Sequence, residues 1–541
     1  MSLPWPAGRV GRAALVVTPC LVTAWAIVSC ALSRGVREVV YGHDVFLPLD
    51  GAWRMLQGQT QHVDFYSPYG PVEPAIVAWM MKLGGVSALA IPRAVAVVGL
   101  VSVAGLVCVA LSRTSAVVGA WLVAVAALAA VGRNQLGEPF DQVSHSAYYN
   151  RIGFALLVAV MVECLVSPAR SEGRPRWTLA LGGLASGFFT SILAFVKPTF
   201  PLVAVVFVAM SFVLVPRSRV RTAALGFGAL SGALAGGALI GFHYGAMLGD
   251  YWFIASARNG FVLAKSGFLS DMFAHDLTFL TAGRIVQTVA NEWWPTLSVV
   301  ALGGVVPLGA FRVGRRIEVL AVVGCTWAAS TLLVLTSWQW GQSPLYAVLA
   351  LVLLEHALRS GDRDWRRGAS MALATACVVS FVVPQVASVA YDRQWQSTYD
   401  ATKDTFPLHP SARGLVIEGS SSACAANEYA RRLEHASRAI AALPDPRVVT
   451  LDFSNPFPYL LGEPPPSGGG VCWHYGSTFS KEVYLPAKDM FGDASVVVLP
   501  RCPEDPSSAY VLSQLYASVL SRDFTVVQDE GGLIVMRRTA P

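Results

Sequence analysis

The amino-acid sequence predicts an α-helical, polytopic membrane domain of about eleven transmembrane helices, followed by a soluble α/β domain. The chain has 541 residues, of which 54% are hydrophobic and only 14% are charged, whereas a soluble globular chain carries about 25% charged residues. Apolar runs of spanning length recur up to residue 391, and after it Pro, Ser, Asp and Glu become more frequent. The net charge of +6 comes from arginine clusters between the apolar runs, so no nucleic-acid partner is expected.

Eleven apolar runs are long enough to cross a bilayer, which takes roughly 17 to 25 residues. They fall near 13–33, 88–111, 114–132, 146–166, 178–196, 199–215, 222–245, 296–311, 317–337, 344–358 and 369–391. Arginines are concentrated in alternate connections, and such connections face the cytoplasm. With eleven spans and a cytoplasmic N-terminus, every arginine cluster falls on the cytoplasmic side. Abundant Arg, Ala, Val and Gly suggest a GC-rich bacterial genome, and the location expected for the chain is a bacterial plasma membrane.

This topology divides the chain into a membrane domain, 1–391, and an extracytoplasmic α/β domain, 392–541. The outer loop 34–87 includes the apolar segment 71–84, which is too short for a span and carries charged residues. Counting that segment as a span would reverse every later connection, so it is predicted, with 46–57, to be an interfacial helix. In the tail, short β-type runs alternate with amphipathic helical stretches, a pattern typical of an α/β sandwich.

The most informative stretch is 41–71, YGHDVFLPLDGAWRMLQGQTQHVDFYSPYGP, which follows the first span. It combines three aspartates, Asp44, Asp50 and Asp64, with His43 and several aromatic residues. An ionised side chain near a bilayer needs a partner or water, so such a segment between spans is a candidate functional site. Asp50 and Asp64 are interpreted as a residue on a solvated face and a turn residue.

This stretch resembles the first outer loop of the GT-C superfamily of membrane glycosyltransferases. The shared features are an acidic residue, a helix ending in Leu-x-Gly, a Tyr/Asp/Phe turn and a Gly-Pro, followed here by GGVSALAIPRAV. The resemblance is to enzymes that use polyprenyl-phosphate sugars, such as protein O-mannosyltransferases and aminoarabinose transferases. Many of these have Asp-Glu where this chain has Asp44-Val45, and the missing carboxylate weakens any expectation of a bound metal.

The resemblance implies transfer of a sugar from a polyprenyl-phosphate carrier to an extracytoplasmic lipid, glycan or protein, with inversion at the anomeric carbon. Asp44 would then be the general base that takes the proton of the acceptor hydroxyl. The lipid-linked sugar is the donor substrate, so neither a cofactor nor a metal is expected. The alternative for Asp44 is a structural role as the N-cap of the helix at 46–57.

Other residues are candidate contacts for the donor and the acceptor. Arg151 and Lys197, each at the outer end of a span, are candidate phosphate contacts, or else an interfacial anchor and a snorkelling lysine. Candidate sugar or acceptor contacts are His43, Asp141, Tyr149, Trp338 and Gln339. For His43 the alternatives are tuning of Asp44 or an exposed loop position, and for the tryptophan an aromatic belt. The loop 452–480 either grips an acceptor, with His474 among its polar groups, or packs on the membrane domain.

Two other functions fit parts of the sequence. A transporter or flippase of a lipid-linked saccharide is one, although internal repeats and interrupted midplane spans are not visible. A membrane scaffold without catalytic activity is the other, and Asp44 would then be dispensable. In the tail, Cys424, Cys472 and Cys502 are enough for one disulfide and one free thiol, and the sequence leaves open which two pair.

Overall fold

The computed structural model describes residues 9–168, 175–216, 218–264, 322–330, 332–333, 343–359, 364–400, 410–419 and 429–539. The helices that carry the hydrophobic part of the chain are α1 (Arg9–Ala31), α2 (Phe46–Leu56), α3 (Val72–Gly84), α4 (Ala90–Arg113), α5 (Ala116–Val131), α6 (Tyr148–Leu165), α7 (Arg176–Ile192), α8 (Thr199–Leu214), α9 (Arg219–Leu239), α10 (Tyr244–Ala264), α11 (Pro344–Arg359) and α12 (Asp364–Thr398). The tail adds α13 (Tyr429–Ala441), α14 (Phe457–Leu461), α15 (Ala487–Phe491), α16 (Pro506–Leu515) and α17 (Ala517–Asp523).

Among the described residues, six helices are long and apolar enough to cross a membrane. They are Ala13–Ala31, Ala90–Arg113, Tyr148–Leu165, Arg176–Phe195, Arg219–Leu239 and Met371–Thr398, with Ala116–Val131 and Thr199–Leu214 as shorter apolar helices. Nine of the predicted spans coincide with helices. The predicted span 296–311 and most of 317–337 lie outside the described residues, so the total of eleven stays a prediction.

Helix α6 forms the centre of the bundle, because all of its residues are buried and it packs against α4, α5, α7, α8 and α11. Among the polar side chains that it buries, Glu163 is paired with two arginines. The Glu163 carboxylate accepts hydrogen bonds from Arg113 Nε and Arg221 Nε, each 2.8 Å away. A buried carboxylate needs such partners, and the three side chains tie α4, α6 and α9 together.

Helices α7 and α9 are in close contact through glycines. A Cβ atom at Gly187 would lie 2.0 Å from Leu225 O, and one at Gly228 would lie 2.1 Å from Leu184 O. Small residues at a four-residue spacing let two helix backbones approach in this way. This pairing holds α7 beside α4 and α6 and so forms one wall of an apolar groove.

Two segments depart from the sequence-based predictions. The outer loop predicted from residue 246 begins as helix α10, since the stretch from Tyr244 to Ala264 contains no proline and is largely apolar. Helix α12 continues seven residues past the expected domain boundary at 391, as far as Thr398. The helices predicted near 46–57 and 71–84 are present as α2 and α3, and their position at a membrane surface stays a prediction.

The tail contains a four-stranded sheet in the order β3-β4-β6-β5. Its strands are β3 (Val448–Thr450), β4 (Val496–Pro500), β5 (Phe524–Glu530) and β6 (Leu533–Arg538). β3 and β4 pair parallel, and β6 pairs antiparallel with both β4 and β5. Four of the five predicted β-type runs form this sheet. The fifth, β2 (Leu415–Ile417), instead pairs parallel with β1 (Val36–Glu38) of the first outer loop.

The tail packs directly on the first outer loop. Arg54 Nη1 donates to Pro466 O at 3.0 Å and to Gly468 O at 3.1 Å, and Arg54 Nε donates to Asp50 Oδ2 at 3.0 Å. Asp50 is therefore fully buried, and the prediction that it lies on a solvated face is wrong. Asp64 is exposed and accepts from Thr60 N at 2.6 Å, which confirms it as a turn residue.

Candidate functional site

The residues around Asp44 form a tight turn that leads into α2. Asp44 N donates to Tyr41 O at 2.9 Å, and Tyr41 holds a left-handed φ of 56°. The N-cap of α2 is Val45, and no side chain caps that helix end. The N-cap interpretation of Asp44 is therefore wrong. Its side chain turns away from the helix towards the loop that precedes α6.

That loop supplies a hydrogen bond to one oxygen of Asp44. Ser146 Oγ donates to Asp44 Oδ2. The other oxygen, Oδ1, lies 3.3 Å from His43 Nε2 in an ion-pair contact and accepts no hydrogen bond from the described residues. Asp44 is only 9% exposed. A buried carboxylate oxygen without a hydrogen bond costs free energy, so Asp44 Oδ1 is a candidate contact for a ligand group.

A buried polar network fixes the loop that carries Ser146. His145 Nδ1 lies 2.5 Å from Glu38 Oε1, and His145 Nε2 lies 2.9 Å from Arg133 Nη1. Because a guanidinium can only donate, Nε2 accepts and Nδ1 carries the ring proton. Arg133 Nε also lies 3.1 Å from Asp392 Oδ2 on α12. The loop is thus held by the segment after α1, the end of α5 and α12.

Asp44 lines a cavity of about 300 Å³ between the membrane helices and the tail. The first outer loop and the segments before α6 contribute Tyr41, His43, Asp44, Leu47, Tyr69, Gln135, Ser146, Ala147 and Tyr149 to its lining. The tail contributes Phe453, His474, Glu504, Asp505 and Pro506. This volume is at the lower end of the roughly 300–1,000 Å³ typical of small-molecule sites. The cavity therefore has room for a compact, polar substrate group.

The tail side of the cavity is organised by Asp452. Its carboxylate accepts from the backbone N–H groups of Phe453 at 2.7 Å, Glu504 at 2.9 Å and Asp505 at 3.2 Å. Burial raises the pKa of Asp452 to about 6 although these hydrogen bonds favour its charged form. One carboxylate thus holds together the two tail segments that line the cavity.

A second, smaller cavity of about 20 Å³ adjoins the first on the side of α3. Asp44, Tyr69, Ala147 and Tyr149 line both cavities, and Glu73 lines the small one. Burial, together with the nearby Asp44 charge, raises the pKa of Glu73 to about 8. Glu73 is therefore largely protonated at neutral pH and lies on the same side of the site as Asp44.

An apolar groove of about 330 Å³ lies on the membrane helices, two of which, α3 and α6, also line the small polar cavity. Helices α3, α4, α6, α7 and α9 line it, through Val72, Ala75, Ile76, Trp79, Val97, Val98, Val101, Ile152, Leu156, Phe188, Phe189, Ile192, Ala235 and Leu239. Val72 in the groove directly precedes Glu73 in the small cavity. Helix α3 therefore contributes to an apolar surface and to a polar one.

The sequence-predicted residues are distributed as follows. His43, Asp44 and Tyr149 line the cavity. His43 is buried between two carboxylates, so the exposed position suggested for it is wrong. Asp141 is exposed and is not among the lining residues. Trp338 and Gln339 lie outside the described residues.

The two predicted phosphate contacts have different surroundings. Lys197 is buried, with Nζ 3.4 Å from Asn150 Oδ1 and 5.2 Å from the ring centroid of Tyr149. Arg151 donates to the carbonyl oxygens of Leu128, Ala129 and Asn134 and to the side chains of Asn134 and Gln385. All three of its nitrogens thus hold the end of α5 and α12, which is a structural role.

Three important lining residues were not predicted from the sequence. Asp505 has a recognisable sequence pattern, because it is the N-cap of α16 and accepts hydrogen bonds from Ser507 N and Ser508 N. That pattern predicts a helix start and gives no indication of a binding site. Glu504 and Ser146 have no local pattern that distinguishes them from loop residues. The loop with His474 was predicted either to grip an acceptor or to pack on the membrane domain. It packs on α2 and also lines the cavity.

The tail cysteines are partly assigned. Cys502 is disulfide-bonded, and Cys472 is a buried free thiol. Burial raises the pKa of Cys472 well above its ordinary value, and the nearby Asp44 charge acts in the same direction. A thiol held in its neutral form is a poor nucleophile, so Cys472 is a packing residue beside the site.

Comparison with known proteins gives little further information. No family model and no curated protein match the chain. ArnT from Cupriavidus metallidurans, in a crystal structure bound to undecaprenyl phosphate, is 12% identical with a TM-score of 0.44, over 98% of this chain and 99% of that chain. The same protein in its apo state is 14% identical with a TM-score of 0.37, over 97% and 99%. With TM-scores this low, neither likeness decides the fold or the activity of this chain.

Proposed function

We propose that this chain is a membrane glycosyltransferase that moves a sugar from a polyprenyl-phosphate carrier to an acceptor hydroxyl at the outer face of a bacterial plasma membrane. The observation that carries the proposal is the position of Asp44. Its Oδ1, which accepts no hydrogen bond from the described residues, is buried at a cavity of about 300 Å³. Helix α6 lines both that cavity and an apolar groove. The resemblance of residues 41–71 to the GT-C outer loop supports the same reaction.

The proposed reaction is a single displacement at the anomeric carbon of the sugar. The acceptor oxygen attacks the anomeric carbon while the bond from that carbon to the phosphate oxygen breaks, and the electron pair of that bond leaves with the phosphate. Asp44 Oδ1 takes the proton of the acceptor hydroxyl, because this oxygen lies at the cavity and, beyond its ion-pair contact with His43, has no hydrogen bond from the described residues. Ser146 holds the other carboxylate oxygen and so directs Oδ1. A single displacement inverts the anomeric configuration.

The donor has an apolar part and a charged part. The groove lined by α3, α4, α6, α7 and α9 suits the prenyl chain, since burying apolar surface there stabilises binding by about 25 cal/mol per Å². For the phosphate we keep Lys197 as the proposed contact, because its side chain is buried against Tyr149, a lining residue of the cavity. We leave Arg151 out of the proposed site, since its N–H groups already donate to carbonyl oxygens and to the side chains of Asn134 and Gln385.

The test is sugar transfer in membranes that contain the full chain, with labelled polyprenyl-phosphate sugars as donors. Asp44→Asn removes the base while keeping the size of the side chain, and we expect transfer to fall by roughly 10²- to 10⁴-fold. The matched control is Asp64→Asn, which changes an exposed aspartate of the same loop and should leave transfer unchanged. Full transfer by Asp44→Asn would remove Asp44 as the base. Translocation of the lipid-linked sugar without transfer would favour a flippase.

A further inference from the structure

His43 connects the proposed base to the tail. Its Nε2 lies 3.3 Å from Asp44 Oδ1, and its Nδ1 lies 3.3 Å from Glu504 Oε2. The next link is Arg432 on α13, whose Nη2 donates to Glu504 Oε1 at 3.1 Å. Carboxylates and cations therefore alternate from the cavity into the tail, and each member of this row is at most 9% exposed.

The arrangement defines the protonation state of His43. Each ring nitrogen faces a carboxylate oxygen, and an ionised carboxylate can only accept. Both nitrogens must then carry a proton, which makes the ring an imidazolium. Its charge balances that of Asp44, as the guanidinium of Arg432 balances that of Glu504.

The other groups around His43 agree with this state. Burial by itself lowers the pKa of His43, but the charges of Asp44, Glu504 and Asp452 outweigh it and raise the pKa above its ordinary value. Further titratable groups of the tail at this wall are His474 and Asp505, with His474 Nε2 3.9 Å from Asp505 Oδ2. Tyr429 interacts electrostatically with Glu504 and Asp452. Burial lowers the pKa of His474, so its neutral ring adds no competing positive charge.

The tail also holds the backbone and the ring of His43 in place. Ser454 Oγ donates to His43 O at 3.1 Å, and the Phe453 ring packs edge-on with its centroid 4.7 Å from that of His43. Asp452 fixes both Phe453 and Glu504 through their backbone N–H groups. The orientation of His43 is therefore decided by the tail, although His43 belongs to the first outer loop.

We propose that the tail is a working part of the proposed transferase site, in which Glu504 holds His43 as an imidazolium and His43 in turn positions the Asp44 carboxylate. His43 and Glu504 are positioning residues, because they act through Asp44. This inference rests on the proposed function for its kinetic consequence. Its structural part is the charged link, by which we mean the ion-pair contacts of His43 with Asp44 and Glu504. This link can be tested by a measurement that does not depend on transfer activity.

The kinetic test compares Glu504→Gln and His43→Gln with the wild-type chain in transfer from a polyprenyl-phosphate sugar. Loss of the link misplaces Asp44, so kcat should fall by roughly tenfold to a hundredfold, while KM for the donor should change less than about twofold. The acidic limb of the pH–rate profile should move to higher pH, because a carboxylate that loses a neighbouring cation is protonated more readily.

The double variant and a control complete the kinetic test. His43→Gln combined with Glu504→Gln should lose no more activity than the more damaged single variant, because residues of one network are not additive. Glu482→Gln, at an exposed glutamate of the tail, should behave as wild type. Unchanged kcat with an unmoved acidic limb in both single variants would overturn the proposal, as would fully additive losses.

The structural test uses the apparent Tm of the purified full chain in detergent across pH. A histidine whose folded-state pKa is raised stabilises the fold below its unfolded pKa, near 6.5, and this stabilisation is lost as the pH rises through the folded pKa. The Tm advantage of wild type over His43→Gln should therefore be largest at acidic pH and shrink as the pH rises. A pH-independent difference would overturn the link. If wild type transfers no sugar, the proposed function fails, and this measurement still decides on the link.

Discussion

Ala147 is the N-cap of α6 and holds a backbone conformation that few residues with a side chain adopt. Its φ of 50° and ψ of 33° are left-handed, and it lines both polar cavities beside Ser146. Such a conformation costs of the order of 1–3 kcal/mol for a residue other than glycine. Tyr41, on the other side of Asp44, shares it with a φ of 56°. Strained backbone thus flanks the proposed base on two different loops.

Replacing Ala147 by glycine should remove that strain. Glycine also raises the conformational entropy of the unfolded chain, which offsets part of this gain. We therefore expect Ala147→Gly to stabilise the fold by a net amount of about 1 kcal/mol. The measurement is the free energy of unfolding in detergent. Ala155→Gly is the matched control, since Ala155 lies buried inside α6 and should destabilise by roughly 1 kcal/mol. Equal destabilisation by both changes would contradict the strain argument.

At the scale of elements, the α7–α9 pair depends on backbone contact. On α9, a Cβ atom at Gly228 would lie 2.1 Å from Leu184 O of α7, whereas at Gly226 it would meet no atom within 4 Å. Two glycines two residues apart on one helix therefore face opposite environments. Gly228 permits the close approach of α7 and α9, whereas Gly226 only lowers the stability of the helix.

This difference gives a paired prediction. Gly228→Ala should destabilise the fold by about 1–3 kcal/mol, because the methyl group forces two backbones apart. Gly226→Ala should be neutral or stabilising by up to about 1 kcal/mol, because alanine favours the helix. Thermal unfolding of the two variants in one detergent tests both expectations. A larger loss for Gly226→Ala would show that the helices do not pack as described.

At the scale of the whole molecule, the apolar groove and the small polar cavity meet at α3, where Val72 lines the groove and the next residue, Glu73, lines the cavity. Helix α9 reaches the groove only through Ala235 and Leu239, and it is held there by its glycine contacts with α7. A lipid-linked donor would contact both regions at once. The length of its prenyl chain should then matter for binding.

Blocking the groove should reveal that dependence. Ala235 is an exposed lining residue of the groove, so Ala235→Trp fills the space without disturbing a buried contact. We expect KM to rise at least about tenfold for a long-chain polyprenyl-phosphate sugar, since roughly 1.4 kcal/mol corresponds to tenfold, and much less for a short-chain donor. Leu230→Trp, at an exposed position of α9 outside the groove, is the control. If the two substitutions had equal effects on both donors, the prenyl chain of the donor would not bind in this groove.

The sequence by itself determined the membrane character of the chain, nine helices that coincide with predicted spans, the strands of the tail and the choice of Asp44 as the central residue. These features depend on local patterns: the length of apolar runs, alternation along a strand, and an acidic residue followed by turn residues at a spacing that resembles a known loop. Such patterns can be recognised in the sequence because the residues that are close in the chain are also close within one helix or strand.

Only the tertiary structure decided which groups meet Asp44. Ser146 lies 102 residues away in the chain, and Glu504 belongs to the tail, so no spacing in the sequence relates them to Asp44. The burial of Asp50 and His43 and the engagement of Arg151 by carbonyl oxygens were missed for the same reason. Burial and pairing of a charged group depend on what packs against it, and that is set by contacts between distant segments rather than by the pattern around the residue.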